Sequence, residues 1–120
     1  MDRDVESLVQ QFRDELGLSL GRNLEQVILY GSRARGDEGP DSDLDVLVVV
    51  GDLGSSEREM IHRIAYQIMW DREFQPLISL NIIDHEHYLL LSEAGSSYLR
   101  NILREGKSLW PISGTKASIG

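Results

Sequence analysis

The stretch from Leu29 to Val50, LYGSRARGDEGPDSDLDVLVVV, decides the reading of this chain. Two apolar runs flank a charged segment that contains glycines. The first run, Val27 to Tyr30, is short, continuous and closed by Gly31, the pattern of a buried strand. The second, Asp43 to Val50, also reads as a strand, yet it opens on two acids. Carboxylates at the mouth of a core strand are costly unless something compensates them. Their spacing of two places Asp43 and Asp45 on one face of the strand. Side by side they repel, and one tends to hold a proton. A hard cation such as Mg²⁺ reverses that balance, because it takes oxygen ligands.

Between the runs, Gly31 allows a sharp turn and the close approach of a ligand. Ser32 can open a helical turn whose N–H groups face an anion. Arg33 and Arg35 add positive charge. Residues 32–42, with Gly36, Gly39 and Pro40, read as a loop opened by that turn. A phosphate cradle thus faces a metal clamp, which are the parts for chemistry on a nucleoside triphosphate.

Working outward, Val5, Leu8, Val9, Phe12 and Leu16 follow helical spacing, so Asp2 to Leu16 is expected to be an amphipathic helix stopped by Gly17. Leu18 to Asn23 is either loop or one further turn. After a turn at Gly51–Ser55, Ser56 and Glu59 have the spacing of a capping box. They precede a helix that reaches about Trp70. Leu77 to Ile83 alternates, with Ile78, Leu80 and Ile82 facing one way and Ser79 and Asn81 the other. Asp84 is expected to cap a helix from His85, and Ser96 or Ser97 a last one that Gly106 ends. Residues 1–110 read as one domain and 111–120 as a flexible tail. The order is that of a small α/β domain with one sheet. The Val50–Leu77 connection is long enough for a parallel crossover, while the first two strands fit either direction.

At 120 residues the chain suits a single domain that folds without staples. It has no cysteine, which excludes disulfides and thiolate metal sites and fits a cytoplasmic setting. No apolar run approaches the roughly 20 residues of a membrane helix, and the acidic start is unlike a signal peptide. A net charge of −8 repels nucleic acid as a main partner.

The segment GSRARGDEGPDSDLDVLV resembles the signature of the DNA polymerase β-like nucleotidyltransferases, and more narrowly the minimal nucleotidyltransferases (MNT type): Gly-Ser, ten residues, then Asp-x-Asp. The resemblance implies a small mixed sheet flanked by helices, like the palm of polymerase β. It implies transfer of a nucleoside monophosphate, AMP from ATP, to an acceptor hydroxyl. It assigns Gly31 and Ser32 to the β,γ-phosphates of the nucleotide and Asp43 and Asp45 to two Mg²⁺, while Arg33 and Arg35 join the nucleotide-binding set on their charge beside that turn. It implies a helical HEPN-type protein as partner, in an antitoxin-like role.

One departure stands out. Active members of that family carry a third acid on a later strand, and here that strand, PLISLNII, has none. Ser79 or Asn81 stands in its place, while Glu73 and Asp84 lie outside the strand. Neither Ser79 nor Asn81 is a useful base at neutral pH, and losing a general base costs about 10²–10⁴ in rate. The competing expectation is therefore a module of this fold that binds a partner or nucleotide with little turnover. His85 and His87 would point about 200° apart on a helix, a poor shared metal site. Trp70, Phe74, Tyr98 and Trp110 read as core or interface rather than as base-stacking groups, and Leu89 to Leu91 as packing or a partner surface.

Overall fold

The computed structural model describes residues 3–36 and 43–111. The elements run α1 (Arg3–Leu20), a 3₁₀ turn (Gly21–Asn23), β1 (Leu24–Tyr30), α2 (Ser32–Arg35), β2 (Leu44–Val50), α3 (Ser55–Asp71), β3 (Ile78–Asp84), α4 (His85–Glu93), α5 (Ser97–Glu105) and β4 (Lys107–Trp110). They form one four-stranded mixed sheet in the order β3-β2-β1-β4. The first pair, left open above, is antiparallel. The crossover through α3 joins β2 and β3 in parallel.

The sheet has two unlike faces. On one, Val27, Leu29, Val46, Val48, Val50, Ile78 and Ile82 pack beneath α1 and α3, which contribute Val5, Leu8, Phe12, Leu16, Ile61, Ala65 and Ile68. On the other, Ile28, Leu47, Val49 and Ile83 meet Leu99 and Ile102 of α5. The alternation expected in β3 holds, with Ile78, Leu80 and Ile82 on the first face. No helix among the described residues is long and apolar enough to cross a membrane.

Several boundaries differ from expectation. Helix α1 runs through Gly17 to Leu20. Gly17 is there for space: a Cβ would come within 2.8 Å of the Trp110 ring. Helix α3 begins at Ser55, because the Glu57 carboxylate, not Glu59, accepts the N–H of Gly54 at 2.9 Å. That bond holds the Glu57 pKa below its ordinary value. The caps at Asp84 and Ser96 are as expected, accepting from the N–H groups of His87 and Leu99.

Strand β4 was not expected. It adds to β1 antiparallel, and Trp110 donates its indole N–H to the Leu24 carbonyl at 3.2 Å. Trp110 is thus a packing group that joins α1 to the sheet. Asp2 at the expected helix start, Gly39 and Pro40 of the expected loop, and residues 112–120 of the expected tail lie outside the described residues.

Candidate active site

The antiparallel register sets Tyr30 opposite Asp45, and the parallel register sets Ser79 on the other side of Asp45. Tyr30, Asp45 and Ser79 therefore form one row across three strands and share the α4/α5 face. The next row, Ile28, Leu47 and Asn81, is where that face turns apolar.

Gly31 leaves β1 with φ of 80°, a left-handed conformation that suits glycine. A Cβ on Gly31 would lie 2.2 Å from an Asp45 carboxylate oxygen. The carboxylate is thus seated directly on the backbone of the turn. Helix α2 follows at once, with the Arg35 N–H bonded to the Gly31 carbonyl at 3.1 Å. The first turn of any helix leaves N–H groups without intrahelical acceptors, and Ser32 opens this one.

The electrostatics agree with the packing. Burial raises the Asp45 pKa, the charge on Asp43 raises it further, and Arg35 opposes both. Asp43 itself is exposed just ahead of β2. Tyr30 is also held well above the usual phenol value, by burial, a hydrogen bond to Tyr98, and the charges of Tyr98 and Asp45.

The donor set fits Mg²⁺. Two carboxylates in mutual repulsion, open to solvent on one side, are what that ion takes, and it keeps several waters and shares phosphate ligands. Among the described residues no group of three or more His, Cys, Asp or Glu converges on such a site. The register narrows the substitution. Ser79 is level with Asp45, while Asn81 sits one row deeper, where its amide donates to the Tyr98 hydroxyl. Glu73 lies in the turn after α3, and Asp84 is committed to its cap.

The two arginines separate. Arg35 remains with the carboxylates, and its guanidinium lies 3.6 Å from Glu105 at the end of α5. Arg33 turns the other way and is buried on the α1 side, where it lines a cavity of about 370 Å³ with Asp4, Leu8, Arg72 and Pro76. Residues two apart on a helix point about 200° apart, so one turn cannot bring both to one ligand.

The remaining candidates fall outside the site. His85 pairs with Glu25 at 2.8 Å. Trp70 and Phe74 cluster with Tyr66 at the end of α3. Leu89 and Leu90 are exposed on α4, while Leu91 packs against the sheet. Tyr98, read above as core or interface, is instead half-exposed at the edge of the carboxylate row. No local sequence signal marks that contact, because Asn81 and Tyr98 meet only through the packing of α5 on the sheet.

A family model described as a nucleotidyltransferase domain matches residues 8–94. Two proteins of Methanocaldococcus jannaschii, each named "putative protein adenylyltransferase", are similar in sequence. One is 33% identical over 78 residues, covering 62% of this chain and 79% of its own length. The other is 26% identical over 105 residues, covering 88% and 97%. Among solved structures, a "putative nucleotidyltransferase" from Sulfolobus solfataricus superposes with a TM-score of 0.55 and 23% identity, covering 87% of this chain and 78% of that one. A toxin–antitoxin structure with AMP-PNP has a TM-score of 0.53 and 20% identity, covering 84% and 72%. At those identities the two structures establish likeness of fold.

Proposed function

We propose that this chain, which belongs to the nucleotidyltransferase domain family, moves AMP from ATP to a hydroxyl of a helical HEPN-type partner protein, with Mg²⁺, in an antitoxin-like role. The observation that carries the reading is the seating of Asp45 against Gly31 with Asp43 beside it. The carboxylate pair and the Gly-Ser turn are one site, as the chemistry requires. The names of the two curated relatives support adenylyl transfer to protein. The like-folded toxin–antitoxin structure with AMP-PNP supports both the nucleotide and the partner. The absence of cysteine suits a cytoplasmic setting.

In the reaction the acceptor oxygen attacks the α-phosphorus. The bond from that phosphorus to the bridging oxygen breaks, and pyrophosphate leaves with the electron pair. Asp43 and Asp45 would hold Mg²⁺, which when bound draws charge off the phosphates. The Gly31 backbone, lacking a side chain, lets the Asp45 carboxylate sit against the turn, and Ser32 and Arg35 offer the phosphates a hydroxyl and a cation there. Much of the rate then comes from holding the reacting atoms in line. Ser79 is no base, so the acceptor's proton passes to a phosphate oxygen or to a base that the partner supplies. The neutral Ser79 also favours slow turnover, which suits a modifying enzyme acting once on each partner molecule.

The test is incubation with α-labelled ATP, Mg²⁺ and the protein encoded beside it, next to an Asp43→Ala/Asp45→Ala variant. Label on the partner with the parent, and none with the variant, supports the reading. Equal binding of the partner by both forms without any label transfer would reduce the chain to a docking module.

A further inference from the structure

Resting on the nucleotide reading above, we infer that Tyr98 is a substrate-contacting residue whose hydroxyl donates a hydrogen bond to the triphosphate of the bound nucleotide. Tyr98 comes from α5, outside the segment that carries the Gly-Ser and Asp-x-Asp residues. One contact places it: the Asn81 side-chain amide donates to the Tyr98 hydroxyl from β3. Asn81 pairs with Leu47, one row deeper than Asp45 and Ser79, so Tyr98 reaches the sheet beside the carboxylate row.

The proton inventory gives the direction. An amide nitrogen only donates, so Asn81 uses one acceptor position of the Tyr98 oxygen. The Tyr98 O–H can then donate into a cleft of about 320 Å³ that Tyr98 lines with Tyr30, Gly31, Arg35, Asn101 and Glu105. Gly31 in that lining is the glycine on which the Asp45 carboxylate rests. Tyr98 is 41% exposed there. A hydroxyl donor that shares a cleft with Gly31 and the Arg35 guanidinium complements an anion held at that turn. A phosphate oxygen is such an anion.

The test compares Tyr98→Phe with the parent by calorimetric titration of AMP-PNP in the presence of Mg²⁺. The expected result is a Kd raised about tenfold, the worth of one hydrogen bond to a charged group, with KM for ATP rising more than kcat falls. An Asn81→Leu/Tyr98→Phe variant removes both ends of the Asn81–Tyr98 hydrogen bond and separates affinity from folding. It should melt near the parent temperature and still bind weakly. Parent-like affinity in either variant overturns the inference while label transfer by the parent leaves the function standing. No binding of AMP-PNP by the parent overturns both. Should Tyr98→Phe fail to fold, tyrosine labelled with ¹³C at Cζ in the parent decides. The Tyr98 resonance moves on nucleotide addition, and an unmoved resonance at saturation refutes the contact.

Discussion

The two faces of the sheet are built from the same three strands and do opposite work. Under α1 and α3, β1, β2 and β3 present apolar side chains from end to end, and Val27, Leu29 and Val48 are fully buried. Under α4 and α5 the apolar rows stop at Ile28 and Leu47, and the next row is Tyr30, Asp45 and Ser79. Because successive side chains alternate, one strand serves as core on one side and as site on the other. Strand β2 shows it most plainly: Val46 anchors the core, and its neighbour Asp45 faces the proposed site. The continuous face supplies the rigidity that lets the interrupted face keep two carboxylates in repulsion.

Substitutions on the two faces should therefore separate activity from stability. The largest effect is expected at Gly31. Gly31→Ala places a methyl against the Asp45 carboxylate and strains a left-handed turn. Transfer of label from ATP should fall by about 10³-fold, the scale of losing a preorganised charge-stabilising contact, with far-UV circular dichroism unchanged. On the continuous face, Leu29→Ala should cost about 3 kcal/mol in urea unfolding, while the stable fraction keeps its turnover. An active-site loss from Leu29→Ala at full folding would break the separation.

A smaller effect sharpens it. Asp45 has a folded pKa raised above its ordinary value, so the native state binds more protons than the unfolded chain. Stability must fall as pH rises through the interval between those two values. Asp45→Asn is thus expected to raise the melting temperature by a few degrees at pH 7 without Mg²⁺, and the gap should close below about pH 4, where both forms of Asp are protonated. A gap independent of pH would mean that Asp45 is not strained by its charge.

Much of this was legible in the chain because the diagnostic signals are local. The Gly31-Ser32 turn, the Asp43/Asp45 spacing and the caps at Asp84 and Ser96 each lie within a few residues of what they govern. What escaped was set at long range. The four residues of β4 are too few for an alternating pattern and owe their strand state to β1. Gly17 has the composition of a helix stop, but its smallness makes room for Trp110, 93 positions away. Arg33 and Arg35 read as one group in the sequence because they stand two apart in a charged segment. Once the turn is helical, its period divides them.

The antiparallel pairing of β1 with β2 has a consequence for how such a protein can diversify. It puts the exit of β1 and the start of β2 side by side, with Tyr30 opposite Asp45. Both ends of the connection are thus fixed by the sheet, and its length or composition can change without shifting the register of the strands it joins. Selectivity can drift while the scaffold is inherited intact.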